Sequence, residues 1–125
     1  MLINLSNHPS YQWQPAQKDL ALATYGNVID IPFPQLDPMA PMSEVLLLAK
    51  QHAEKCKKIL EETGRETNAI HIMGEHTFVY AFVRIMQQNN ITCIASTTHR
   101  LASIDENGNK TSRFEFCRFR KYPKI

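Results

Sequence analysis

Residues 70–83, "IHIMGEHTFVYAFV", change character in the middle. The first four are apolar enough for a strand buried on both faces, and the last six carry the spacing of an amphipathic helix. Gly74, Glu75, His76 and Thr77 lie between them. A buried strand running straight into a helix is the unit from which parallel α/β sheets are built, and it decides the reading of the chain on either side.

Upstream, "LINLS" (2–6) is a short apolar run stopped by Asn7-His8-Pro9-Ser10. Pro15 and Gly26 mark the first turn and the end of a helix in which Leu20 and Ala23 are expected to face the core. "NVIDIPF" (27–33) reads as a second strand, and the proline-rich "PFPQLDPMAP" (32–41) as a loop. A long helix then opens, with Ser43 expected as its cap and Gly64 as its stop. Its apolar stripe is Val45, Leu48, Ala49, His52, Ala53, Cys56, Ile59 and Leu60. "AIHIM" (69–73) is the third strand. The helix that follows spans about Thr77 to Gln88, with Phe78, Ala81, Phe82 and Ile85 on one stripe. "ITCIAS" (91–96) is the fourth strand. Beyond it, Asn107-Gly108 separates two strand-like runs and signals a hairpin. The expectation is a single α/β, Rossmann-like domain over residues 1–125, a parallel sheet flanked by helices with a C-terminal antiparallel hairpin.

Bulk properties narrow the partners. The chain has 125 residues, 43% hydrophobic and 21% charged, which suits one folded core. A net charge of +2 is too small for a general binder of long nucleic acid. Basic residues gather toward the C-terminal end, where Arg100, Lys110, Arg113, Arg118, Arg120, Lys121 and Lys124 outnumber Asp105, Glu106 and Glu115. No signal-peptide pattern or membrane-length apolar run is present, so a cytoplasmic protein without membrane contact is expected. Cys56, Cys93 and Cys117 have no zinc spacing and read as buried thiols.

In open parallel sheets, ligands bind beyond the carboxyl ends of the strands. Polar residues occur where three strands are expected to end: Ser6, Asn7 and His8; then Gly74, Glu75, His76 and Thr77; then Ser96, Thr97, Thr98, His99 and Arg100. Gly74 would allow close backbone approach, and the next helix N-terminus suits an anion. Helix capping explains Glu75 and Thr77 equally well. Neither the dinucleotide fingerprint nor a phosphate-binding P-loop is present. Hydroxyls and Arg100 are natural phosphate donors, with a polar turn as the plain alternative. His52 and His71 read as structural. A metal site from Glu75, His76 and His99 has no supporting spacing, and Cys93 inside a strand is a poor nucleophile. On the last strand, alternation places Arg118 and Arg120 on one face together with Phe114 and Phe116.

The set "NLSNH" (4–8), "MGEHTFVYAFV" (73–83), "ASTTHR" (95–100) and "FEFCRFRKY" (114–122) resembles small CRISPR-associated proteins of the CARF-like, ring-nuclease type. The resemblance lies mainly in residues 69–122. It implies a homodimer in antiviral defence that binds cyclic oligoadenylate and cleaves it without metal or cofactor, through attack by a ribose 2′-OH. It further implies Arg100 and Thr98 at the scissile phosphate, with His99 as the first candidate for proton transfer and His8 as the second. Asn7, Gly74, Glu75, His76, Thr77, Ser96, Thr97, Arg118 and Arg120 would complete the binding site. Two alternatives are a non-catalytic sensor of the same ligand and a small Rossmann-like enzyme acting on a phosphorylated metabolite.

Overall fold

A computed structural model describes residues 1–64 and 67–125. The elements are β1 (Leu2–Ser6), α1 (Pro15–Tyr25), β2 (Val28–Asp30), α2 (Met42–Thr63), β3 (Ala69–Met73), α3 (His76–Gln88), β4 (Cys93–Ile104) and β5 (Lys110–Lys121). The five strands form one sheet in the order β2-β1-β3-β4-β5. All neighbours are parallel except β4 and β5, which form the C-terminal hairpin. This is the expected α/β, Rossmann-like architecture. No helix among the described residues is long and apolar enough to cross a membrane.

Period-2 alternation divides the sheet into two faces. Ile3, Leu5, Ile70, Ile72 and Cys93 point to the face covered by α2 and α3, where Ala49, Ala53, Cys56, Phe78, Phe82 and Met86 complete the larger core. Leu2, Ala69 and Ile94 point the other way, under Trp13 and Ala21 of the α1 side. Helices therefore lie on both faces, as right-handed crossovers leaving β1 in one direction and β3 in the other require. His52 is structural, as expected: its Nδ1 lies 2.9 Å from the Leu48 carbonyl and its ring meets Phe78 edge-on. Burial pushes the Cys56 and Cys93 thiols up to about 12. Cys117 is exposed, against expectation.

Three local expectations need correction. In α1 the buried side chain is Ala21, while Leu20 and Ala23 are exposed. The inward stripe is Gln17, Ala21 and Tyr25, because a small residue lets the helix approach the sheet. In α2 the helix begins at Met42, with Pro41 as its N-cap and no side-chain cap, so Ser43 is inside the first turn. β2 is shorter than residues 27–33, although Ile31 N–H still donates to the Asn4 carbonyl at 2.9 Å before Pro32 stops the pairing.

The largest difference is β4. It does not end at Ser96 but runs on to Ile104. Only Cys93 and Ile94 pair with β3, so the residues beyond Ser96 extend past the carboxyl end of β3, paired with β5 alone. The hairpin is therefore a two-stranded arm, turned at 105–109, where Asp105 accepts from the Asn107 and Asn109 amides and Gly108 takes φ 79°. Thr97 pairs with Arg118 but Thr98 with Phe116, leaving Cys117 as a bulge. The extra residue reverses the alternation. Phe114 and Phe116 share a face with Phe119, Thr98 and Arg100. Arg118 and Arg120 share the opposite face with Thr97 and His99. The sequence expectation of one common face for Phe114, Phe116, Arg118 and Arg120 is thus overturned by a single inserted residue.

Gly74 is required by packing. A Cβ there would run into the Phe33 ring, which itself lies edge-on to the buried Phe78 with centroids 5.1 Å apart. Gly74→Ala is expected to destabilise the fold by about 1–3 kcal/mol, the usual range for overpacking. Urea unfolding would show this, and a Phe33→Leu background should recover part of the loss.

Candidate functional site

The order β2-β1-β3 makes the gap between β1 and β3 the point where the chain switches direction across the sheet. Loops leaving these neighbouring strands at their carboxyl ends diverge to opposite faces, which opens a crevice. A crevice of about 440 Å³ occurs there, lined by Ser6, Asn7 and Pro9 after β1, residues 32–36 after β2, and Glu75 after β3. The Phe33 ring and three prolines form its apolar part, and Asn7 and Glu75 its polar part. Two hollows of about 570 and 380 Å³ open around Ile91 and Thr92, at the start of β4, away from these groups.

Glu75 is the N-cap of α3. Its carboxylate accepts from Thr77 N–H at 3.0 Å, Phe78 N–H at 2.9 Å and the Thr77 hydroxyl at 2.7–2.8 Å. The Thr77 hydroxyl, then the Phe78 and Thr77 amides, hold this carboxyl below its ordinary value. The amides expected to receive a ligand anion are therefore occupied by the chain's own carboxylate. Together with the Phe33 contact at Gly74, this gives "GEHT" a structural role in capping and packing. His76 opens α3 and lines a separate hollow of about 580 Å³ with Tyr80 and Arg84.

The arm separates residues that adjoin in sequence. Thr98 and Arg100 lie on the α1 side, whereas Thr97, His99, Arg118 and Arg120 lie on the α3 side. His99 and Arg100 consequently do not act from one surface of the arm. Thr97 donates its hydroxyl to the Arg118 carbonyl at 3.2 Å. Among the described residues the one salt bridge is Lys57–Glu54, so the arm's guanidinium groups hold no carboxylate. Glu115 pairs with His99 and places a carboxylate on the same face of the arm. Among the described residues no three His, Cys, Asp or Glu side chains are placed to hold a metal ion.

A second polar system was not legible as a site. Asn4, Ser6 and His71 are 1%, 7% and 2% exposed, inside strands that otherwise read as apolar. They point to the α1 face and connect four strands. Asn4 Nδ2 donates to Asp30 Oδ1 and to the His8 carbonyl, both at 2.8 Å. Asn4 Oδ1 accepts from Ser6 Oγ at 2.8 Å and faces His71 Nδ1 at 2.8 Å. His71 Nε2 lies 2.6 Å from Ser96 Oγ, which also accepts from Gln17 Nε2 at 2.9 Å. Trp13 packs edge-on to His71 at 5.1 Å and donates its indole N–H to the His8 carbonyl. That carbonyl also accepts from Ser6 Oγ, so the backbone at His8 is held by three donors while its side chain remains exposed. Burial alone would raise the Asp30 carboxyl, but hydrogen bonds from Asn4 and Ser10, with Lys18 nearby, hold it below its ordinary value. The signal available in the sequence was parity: Asn4 and Ser6 alternate with Ile3 and Leu5, as His71 does with Ile70 and Ile72.

The chain matches the uncharacterized protein MJ1673 family over residues 1–120. It belongs to that family. No curated protein and no solved structure matches it. The family match takes in β1 to β4, all of β5 except Lys121, the crevice and the buried polar system.

Burial, with a smaller effect from His8, lowers His71 from 6.5 to about 4. Between those values the unfolded chain takes up a proton that the folded protein does not. This contribution to stability is complete above about pH 6.5 and is lost as pH falls toward 4, by up to about 3 kcal/mol. Asp30 and Glu75, with lowered values, act in a separate window below the ordinary carboxylate range. Urea midpoints at pH 4.5 and 7 should differ accordingly, and His71→Gln should flatten the slope between them.

Proposed function

We propose that the protein binds a ribonucleotide ligand in the switch-point crevice. The specific ligand to which the sequence resemblance points is cyclic oligoadenylate. The observation that carries the reading is the crevice itself. It occupies the position where open α/β sheets bind ligands, and it combines a half-buried aromatic ring and a proline surface with a few directed polar groups. Phe33 offers a surface for an adenine, and Asn7 and Glu75 offer partners for ribose hydroxyls or an exocyclic amine. The crevice suits one nucleotide unit better than a whole ring. A ring would then be shared between two copies, in keeping with the homodimer that the resemblance implies.

Phosphates need cations, and the crevice lining has none. Under this proposal they come from the arm face that carries His99, Arg118 and Arg120, which flanks the sheet on the same side as α3. Cleavage requires a 2′-OH held in line with its own phosphodiester, a proton acceptor, and stabilisation of the developing charge. His8 is the favoured proton-transfer group, because its backbone is immobilised by three hydrogen bonds while its imidazole is exposed. Arg118 and Arg120 would stabilise the charge. Arg100 and Thr98, on the opposite face of the arm, are assigned a weaker part.

The test is titration with cyclic tetra- and hexa-adenylate in the presence of EDTA, followed by separation of products. Tight binding is expected, with linear products ending in a cyclic phosphate. Arg118→Ala combined with Arg120→Ala should weaken binding by about tenfold or more, since each removes a charge-assisted hydrogen bond. His8→Ala should slow cleavage more than it weakens binding. Binding of an intact ring would leave a sensor, and no binding of either ring would overturn the proposal.

A further inference from the structure

The polar system on the α1 face has a proton arrangement that follows from its donors and acceptors alone. Asn4 Nδ2 is committed to two oxygens, the Asp30 carboxylate and the His8 carbonyl. The orientation of the Asn4 amide is thereby set, and Oδ1 must face His71. An oxygen acceptor opposite Nδ1 requires the proton on Nδ1. Nε2 is then the lone-pair nitrogen, so the Ser96 hydroxyl donates to it across 2.6 Å. Burial keeps the ring neutral near pH 7, which leaves that lone pair available. Gln17 Nε2 approaches Ser96 Oγ from a different element, α1, at 2.9 Å.

A hydroxyl bonded to an imidazole whose other nitrogen is held by an asparagine is the nucleophile–base–orienter chain found on unrelated hydrolase folds, in its Asn-containing form. A side-chain amide beside the nucleophile is the type of donor that stabilises an oxyanion. His71 is buried, but Ser96 is half-buried, at the point where β4 leaves β3 and the arm begins. The hydroxyl is thus the outer end of a buried chain, on a half-buried residue next to Gln17.

We propose that Ser96 is a nucleophile, with His71 as its general base and Gln17 as oxyanion donor, acting on carboxylic esters. Ser96 Oγ forms a bond to the ester carbonyl carbon as its proton passes to His71 Nε2. The carbonyl π electrons move to oxygen, facing the Gln17 amide. Collapse of the tetrahedral intermediate breaks the bond to the alcohol oxygen, which takes the proton from Nε2. A water molecule, deprotonated by the same nitrogen, attacks the acyl carbon; the bond to Ser96 Oγ breaks, Oγ takes the proton back from Nε2, and the acid is released. The balance is ester plus water to acid plus alcohol, with no co-reactant. This activity is separate from the nucleotide crevice, and neither reading depends on the other.

The test is labelling of the folded protein with a fluorophosphonate probe, read by intact mass and peptide mapping. The probe contains no nucleotide, so the result is independent of cyclic oligoadenylate binding. A single adduct on Ser96 is expected, absent from Ser96→Ala and from protein unfolded in urea. Ser103 lies on the same strand with its hydroxyl 2.6 Å from Thr111 Oγ1 and serves as an internal reference. Ser96 should react about 100-fold faster or more, the contribution of a positioned general base. His71→Gln should remove that advantage. Where this variant does not fold, Gln17→Ala, from the α1 side, should lower the rate with the circular dichroism spectrum unchanged. Labelling of Ser96 no faster than Ser103, or an unchanged rate in folded His71→Gln or Gln17→Ala, would overturn the proposal.

Discussion

The hydrogen bond between His71 Nδ1 and Asn4 Oδ1 joins β3 to β1 from inside the sheet, and much of the molecule is arranged around it. A buried imidazole and a buried amide are costly unless every polar atom is paired. Pairing them here uses Asp30 from β2, Ser6 from β1, Ser96 from β4 and the carbonyl of His8 from the loop. Among the described residues no buried side-chain nitrogen or oxygen lacks a partner. A one-residue slip of any of these strands would turn its polar side chain to the opposite, aliphatic face, so the network specifies register as well as stability. It also explains the composition of α1. That helix presents Gln17 and the small Ala21 to the sheet instead of a Leu stripe, because the surface it covers is partly polar.

The two faces of the sheet are therefore chemically different. The α2/α3 face is aliphatic and aromatic, closed by Phe78 and Phe82. The α1 face is a short apolar patch around Trp13 with a polar chain across it. The loop after β1 leaves over this chain, and the backbone at His8 is fixed by it. Asn7 and Pro9, on either side, line the crevice. The crevice is thus supported from behind by buried hydrogen bonds, the arrangement that holds a binding site rigid.

The arm carries a second consequence of one residue. Without the bulge at Cys117, Phe114 and Phe116 would share a face with Arg118 and Arg120. With it, a cationic face and an aromatic face are separated along the same strand. The Gln14 side chain pairs with the free edge of β5, donating to the Phe114 carbonyl and accepting from the Phe116 amide. That contact holds the base of the arm against α1 and covers part of an edge that would otherwise invite strand pairing.

Much of this fold was legible in the residues. "LINLS" and "AIHIM" are strands over the residues expected, Gly26 and Gly64 end their helices with positive φ, and Asn107-Gly108 lies in the hairpin turn. These features depend on local sterics and period, which short windows of sequence contain. The length of β4 was not legible, because "STTHR" is as polar as a loop and is a strand only through its partner β5. The face assignment in β5 failed because a bulge depends on register with another strand. His71 was read as core, and it is buried, but its place in a hydrogen-bond network depends on Asn4, Asp30 and Ser96 from three other strands. Sequence alone determined the α/β class, the strand–helix order and the polar character of the strand ends. Tertiary structure alone decided which polar side chains meet, since pairing across strands is set by contacts between residues as far apart as Asn4 and His71.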